Sequence, residues 1–367
     1  MITIDIDASR VTVAQRTGTE RYSYELIAAL DRIAPAHIIF RLYINGGRER
    51  LPPLSERALV RDIRRPRLWT HLGLGPASWW ARPQVLFVPA HVVPLLHPPA
   101  AVTIHDVGYR IFPETHTARR RIELELTTRW SIYAARRVLA ISHATKRDLV
   151  QWYGVDPDRI TVTHPGLSAG FGIPTDPALI LETCARYGLS QRPYLLYIGT
   201  VQPRKNLVRV IEALALVVAA GYDLDLAIVG QRGWLSEPIE RRASELGLAQ
   251  RVHFTGYAPD ADLPALLAGA LAFVFPSLYE GFGIPVVEAM ACGAPVITST
   301  TSSLPEVAGD AALLVDPRDT HAIAAAIMRL SDDPDLRAVL RARGLARARQ
   351  FTWEACAQRT LEALLAC

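Results

Sequence analysis

Short runs rich in Val and Ile, separated by longer stretches with helical spacing, constrain this chain more than any other feature. In the first half the runs are Ile2–Ile6, Ile38–Ile44, Val85–Val88, Ala101–Ile104, Arg137–Ile141 and Ile160–Thr163. In the second half they are Tyr194–Ile198, Asp225–Val229, Arg251–Phe254, Ala272–Phe275, Pro295–Thr298 and Ala312–Val315. Runs that are apolar on both faces need cover on both faces, which parallel strands in βαβ units receive. Two such sets predict an α/β chain of two doubly wound, Rossmann-like domains facing a central cleft.

The Gly- and Pro-rich stretch GLSAGFGIPTDP, residues 166–177, marks the expected break. We expect an N-terminal, acceptor-side domain over 1–170 and a donor-binding domain over 171–350. Residues 351–367 should form an amphipathic helix that packs back on the first domain, with Thr352 as its cap.

Composition excludes several classes. The chain has 367 residues, enough for two cores. Half of its residues are hydrophobic and 21% are charged, which indicates a globular protein. A net charge of +4 gives no concentrated basic face, so no nucleic-acid partner is expected. Cys184, Cys292, Cys356 and Cys367 form no CxxC pair and read as reduced thiols, Cys292 as packing. Asp5 and Asp7 interrupt the N-terminal run, so it is not expected to act as a signal peptide, and no apolar run is long enough to span a bilayer. A cytoplasmic protein is expected, with membrane contact at most peripheral, at the inner face.

Functional loops of a parallel sheet lie at the carboxyl ends of its strands. The richest such stretch runs from Phe275 to Glu288, FPSLYEGFGIPVVE. Gly281 and Gly283 allow a tight turn, and a helix opens at Ile284 with Pro285 in its first turn. Free N–H groups at a helix start can seat a diphosphate. Glu280 and Glu288 would accept hydrogen bonds from sugar and ribose hydroxyls. The plain alternative is a capping turn with Glu288 near the helix dipole.

A second stretch, Tyr197–Asn206, places Arg204 and Lys205 just before a helix. Cations are poorly placed there unless an anion intervenes, and a nucleotide diphosphate would supply one. A third, VTIHD, ends a strand with His105 and Asp106. A fourth, Arg16–Tyr22, enters a helix through Gly18, where a ligand could approach the backbone closely. The pairs Asp5/Asp7, Asp223/Asp225 and Asp260/Asp262 have the form of a metal-binding DxD, but such pairs are frequent by chance and no metal is expected. Residues 48–67 carry seven Arg against Glu49, Glu56 and Asp62, followed by Trp69, Trp79 and Trp80. That mixture suits an anionic membrane surface, or else a solvated loop and helix with packed tryptophans.

The stretch from Glu280 to Glu288 resembles the Glu-x7-Glu motif of retaining glycosyltransferases of the family 4 group, which have the GT-B fold. GTERYSYEL (18–26), TIHDVGYRIFPE (103–114), AISHATKRDL (140–149), VTHPGL (162–167), YIGTVQPRKNL (197–207) and PEVAGDAALLVDP (305–317) resemble the same group, in the same order. The resemblance implies transfer of a hexose from a nucleoside-diphosphate sugar, with retained configuration and no metal or other cofactor. The acceptor would be a hydroxyl of a glycan, a lipid-linked glycan or a small molecule. Arg204 and Lys205 would neutralise the departing diphosphate. Glu288 would hold the ribose and Glu280 the sugar hydroxyls. The amides of Gly281, Phe282 and Gly283, ahead of Ile284, would contact sugar or phosphate. His105 would lie near the sugar's C6 hydroxyl, and Gly18 would let the first loop approach the phosphates. Many relatives carry Gly-Gly there, where this chain has Thr17-Gly18-Thr19. The TVQPRKN form is similar to mannosyl-type relatives and favours GDP-mannose, although composition does not choose GDP from UDP.

Other chemistries fit less well. A nicotinamide oxidoreductase would show GxGxxG after a first strand, and none is present. A phosphorylase of similar fold would need a longer chain and a cofactor-bearing lysine. A non-catalytic sugar-nucleotide binder would tolerate loss of His105 or Glu280.

Overall fold

A computed structural model describes residues 1–13, 18–90, 92–115, 117–233 and 236–367. Arg16 and Thr17 of the first-loop motif lie outside the described residues. The chain divides into two compact units, Met1–Gly166 with Thr352–Cys367, and Leu167–Phe351.

The first unit is built on β1 (Ile2–Asp7), β2 (Ile38–Ile44), β3 (Leu59–Asp62), β4 (Val85–Val88), β5 (Ala100–Ile104), β6 (Arg137–Ala140) and β7 (Ile160–Val162). They form one parallel sheet in the order β3-β2-β1-β4-β5-β6-β7. Ile4 pairs with Phe40 on one side and Val85 on the other. The strand order therefore reverses between β1 and β4, which opens a crevice at their carboxyl ends.

β3 was not expected. Its sequence, LVRD, is largely exposed and lies in the Arg-rich segment read as loop and helix. An edge strand paired on one side needs no apolar run, so periodicity does not reveal it. The tryptophans after it divide in two. Trp69 is buried and donates its indole N–H to Ile63 O at 2.7 Å. Trp79 and Trp80 are exposed, against the reading of packed tryptophans.

The C-terminal helix, Trp353–Leu365, completes this unit. Thr352 Oγ1 caps it by accepting from Ala355 N at 3.2 Å. It packs on the helix Gly18–Ile33 and on β4, β6 and β7. Trp353 meets Tyr22 edge-on with ring centres 5.7 Å apart.

The second unit carries β8 (Tyr194–Ile198), β9 (Asp225–Val229), β10 (Val252–Gly256), β11 (Ala272–Phe275), β12 (Val296–Ser299) and β13 (Ala312–Val315). The sheet is parallel, in the order β10-β9-β8-β11-β12-β13. Here the order reverses between β8 and β11. Tyr197, Phe273 and Phe275 stack through this centre, with ring centres 5.6–5.7 Å apart. Beyond β8 and β9 the backbones close on each other. A Cβ on Gly230 would lie 2.0 Å from Gly199 O, so only glycine fits there. No helix among the described residues is long and apolar enough to cross a membrane.

Candidate active site

The carboxyl ends of β8 and β11 bring together residues 75 positions apart. After β8 the chain turns through Pro203–Lys205 and enters the helix Leu207–Ala219. Asn206 joins the two in the left-handed region, φ 64°. Its side-chain amide donates to Pro276 O at 3.0 Å and Pro317 O at 2.6 Å, tying the β8 loop to the loops after β11 and β13. Leu278 N adds a bond to Arg204 O at 3.0 Å.

Lys205 and Arg204 converge on Glu280. Lys205 Nζ lies 2.6 Å from Oε1, and Arg204 Nη1 lies 3.2 Å from Oε2. Arg204 also donates to Tyr279 O, and Lys205 Nζ sits 4.9 Å over the Phe275 ring. Burial pushes the Glu280 carboxyl up, but Lys205 and then Arg204 offset this and hold it below the ordinary carboxylate range. The anion expected beside these cations is thus already present as Glu280. It explains why two cations are tolerated ahead of a helix.

Hydroxyl groups beyond β12 shape the Glu280 loop. Ser303 Oγ donates to Glu280 O at 2.9 Å and Phe282 O at 2.7 Å. Ser302 Oγ accepts from Glu280 N at 2.9 Å, and Thr301 Oγ1 donates to Leu278 O at 3.0 Å. Gly283, φ 106°, then opens the helix Ile284–Ala291, which has Pro285 in its first turn and no side-chain cap. A Cβ on Gly283 would lie 2.7 Å from Leu304 Cδ2. The first N–H groups of such a helix have no intrahelical acceptor. Phe282 is buried edge-on against Phe351, and Glu288 is buried one turn into the helix. Arg204, Lys205, Glu280, Gly281, Phe282, Gly283, Ile284 and Glu288 therefore all belong to loops or a helix at one switch point.

His105 and Gly18 belong to the first unit. His105 follows β5, and its Nε2 lies 2.9 Å from Pro89 O, just past β4. Its ring meets Tyr22 edge-on at 4.8 Å. Burial lowers its pKa, against smaller opposing effects from Pro89 O, Asp106 and Glu20. His105 and Asp106 line a cavity of about 430 Å³, with Arg10, Glu20, Tyr109 and Arg120. Gly18 opens the helix whose next residues, Thr19 and Glu20, face this cavity.

At least one Asp of each DxD pair is engaged elsewhere. Asp5 is buried against Arg41 and Ser78, each at 2.7 Å. Asp225 meets His253 at 3.0 Å, and Asp223 meets Arg192 and Arg251. Asp262 pairs with Arg186 at 2.8 Å.

Sequence reasoning missed Asn206, the hydroxyl run 301–303, and Glu20 and Arg120 in the first unit. STTSS, residues 299–303, directly after the predicted strand Pro295–Thr298, was a usable signal, since a hydroxyl cluster at a strand's carboxyl end can fix a loop.

Comparison with known proteins decides the class. Residues 10–170 match the model described as Glycosyltransferase Family 4, and residues 185–347 match Glycosyl transferases group 1. The O-antigen chain mannosyltransferase B of Escherichia coli is 34% identical over 95% of both chains. The chain belongs to the family 4 glycosyltransferases. A D-inositol 3-phosphate glycosyltransferase of Thermomonospora curvata is 32% identical over 80% of this chain and 71% of that one. The sucrose-phosphate synthase structure from Thermosynechococcus elongatus covers 99% of this chain and 98% of its own at a TM-score of 0.75, with 22% identity, and it shows the GT-B fold. This transferase accordingly uses a nucleotide sugar.

Proposed function

We propose that this transferase moves mannose from GDP-mannose to a growing glycan, with retained configuration and without a metal ion. The convergence of Lys205 and Arg204 on the Glu280 loop carries this reading. The resemblance to the O-antigen chain mannosyltransferase supports the sugar and the acceptor.

A leaving diphosphate gains negative charge as the C1–O bond breaks. Lys205, Arg204 and the first amides of the helix Ile284–Ala291 supply fixed positive charge, which is worth most where it needs no rearrangement. Metal ions elsewhere perform the same neutralisation, so this arrangement supports a metal-independent reaction. Glu280 and Glu288 accept from sugar and ribose hydroxyls respectively. The amides of Gly281, Phe282 and Gly283 contact sugar or phosphate. His105, held neutral by burial, offers its imidazole to a sugar hydroxyl, and Gly18 allows close approach of a ligand to the backbone. The acceptor hydroxyl attacks from the face that the diphosphate leaves, which retains configuration.

The test is calorimetric titration with GDP, UDP, ADP and dTDP, with and without EDTA, followed by turnover of GDP-mannose. We expect GDP to bind best, unaffected by EDTA, and the product to be an α-mannoside by NMR. Preference for another base, or abolition of binding by EDTA, overturns the donor or the metal assignment respectively. A β-mannoside product overturns retention.

A further inference from the structure

We propose that Tyr22 is a positioning residue for His105, backed by Trp353 in a seat that Gly166 provides. The inference rests on the role proposed above for the His105 imidazole. It draws in two stretches that the donor site leaves unused, GTERYSYEL (18–26) and VTHPGL (162–167).

The main chain around His105 is tied down. Thr145 Oγ1 donates to His105 O at 3.2 Å, and Gly108 N donates to Asp106 Oδ1 at 2.8 Å. On the ring, Nε2 lies 2.9 Å from Pro89 O. A carbonyl only accepts, so Nε2 carries the proton and Nδ1 of the neutral ring keeps a lone pair. One hydrogen bond fixes one corner of an imidazole. It leaves the ring free to rotate about the N–H···O direction, and that rotation would carry Nδ1 through an arc.

Tyr22 removes this freedom. Its ring meets the imidazole edge-on, with centres 4.8 Å apart and planes at 85°. At that separation the imidazole turns only by displacing the phenol. The phenol is itself held on its other sides. It shares the buried face of the helix Gly18–Ile33 with Leu26, Ile27 and Leu30. Its hydroxyl end lies beside Thr103 of β5, Thr163 just past β7, and Cys356. Trp353 meets it with ring centres 5.7 Å apart and planes at 64°.

Trp353 reaches this place because residue 166 has no side chain. A Cβ on Gly166 would lie 2.2 Å from Trp353 N and 2.7 Å from Trp353 Cγ. Gly166, Trp353, Tyr22 and His105 thus form one packed row inside the first unit. The row ends at a working surface, since His105 lines the cavity of about 430 Å³ while Tyr22 behind it is only 1% exposed.

Two readouts on the full-length protein test this. In spectra of ¹⁵N-histidine-labelled protein, the His105 signals are identified by their loss in His105→Ala and should show the Nε2–H tautomer. Tyr22→Leu should move them toward a mixture of tautomers, because the ring can then leave Pro89 O. In turnover of GDP-mannose, Tyr22→Leu should lower kcat by up to about a hundredfold while KM stays within about threefold, as expected for a misplaced group that acts in the transition state. Tyr22→Phe keeps the ring and should restore both readouts. Trp353→Leu lies one contact further out and should give a smaller change of the same sign, which serves if Tyr22→Leu does not fold. In a His105→Ala background, Tyr22→Leu should lower kcat by no more than about twofold further, because its effect passes through the imidazole. Unchanged His105 signals in Tyr22→Leu and Trp353→Leu overturn the proposal. So does a full additional loss in the His105→Ala background, which a merely structural role would give. Wild-type turnover in His105→Ala overturns the role of His105 itself, and the inference with it; the other failures leave that role intact.

Discussion

Lys205 Nζ lies 2.6 Å from Glu280 Oε1, and both side chains are largely buried. The pair links the loop after β8 to the loop after β11, so the same contact sets the geometry of both. It also means that a diphosphate approaching Lys205 meets a cation already matched.

Lys205→Met separates the structural from the functional share of this contact. Removing one partner leaves Glu280 buried with Arg204 alone, a loss of about 1–3 kcal/mol of stability, below the full cost of an isolated buried charge. Turnover should fall by about 10²–10³, the range for losing one donor aimed at developing charge. The double variant Lys205→Met/Glu280→Gln should regain part of that stability by thermal melting, because Glu280 no longer carries a buried charge and Arg204 keeps its bond to Tyr279 O. A Lys205→Met enzyme that melts early yet keeps turnover within threefold of wild type would make Lys205 a structural partner only.

His105 predicts a pH dependence. Burial depresses its pKa from 6.5, so the folded state binds fewer protons than the unfolded state just below that value. Its contribution to stability is complete above pH 6.5 and is lost as pH falls from there through the folded pKa. Glu280 follows the same sign at lower pH, its stabilisation being present above 4.5 and lost below. Urea midpoints measured between pH 7.5 and 5 should decline for wild type and decline less for His105→Gln. Identical slopes for the two proteins would remove His105 as the titrating group.

Two glycines should respond oppositely to alanine. A Cβ at Gly18 meets nothing within 4 Å, so Gly18→Ala should leave the melting temperature unchanged or slightly raised. Any lost turnover in that variant then reports on a ligand. Gly283→Ala places a Cβ 2.7 Å from Leu304 Cδ2 at φ 106° and should cost about 1–3 kcal/mol. Nucleotide binding should fall with it, since the start of the helix Ile284–Ala291 shifts. A destabilised Gly18→Ala, or a Gly283→Ala that melts like wild type, would contradict the backbone geometry of these loops.

Most of the fold was legible because buried parallel strands are apolar on both faces. Runs such as Val85–Val88 and Tyr194–Ile198 appear in the structure with the expected bounds. β3 was illegible for the converse reason, being exposed and paired on one side. At the site, strand-end position pointed to the loops, and the resemblance of Glu280–Glu288 to the Glu-x7-Glu motif pointed to the one after β11. The partner of Lys205 was not readable, because the reversal of strand order that places β8 beside β11 is a property of topology rather than of any local run. The anion anticipated there was external, whereas the chain supplies Glu280 itself. The tryptophans divided because Trp69 has a carbonyl for its N–H at Ile63, a pairing no periodicity encodes.

The return of the helix Trp353–Leu365 to the first unit has a consequence for biosynthesis. Its buried face, including Trp353, Cys356 and Leu364, covers residues made at the opposite end of the chain. The ribosome therefore releases everything needed for Leu167–Phe351 before it releases the last piece of the unit begun first. The later-made sheet can close while the earlier one still waits for its final helix, so the order of synthesis and the order of completion run in opposite directions.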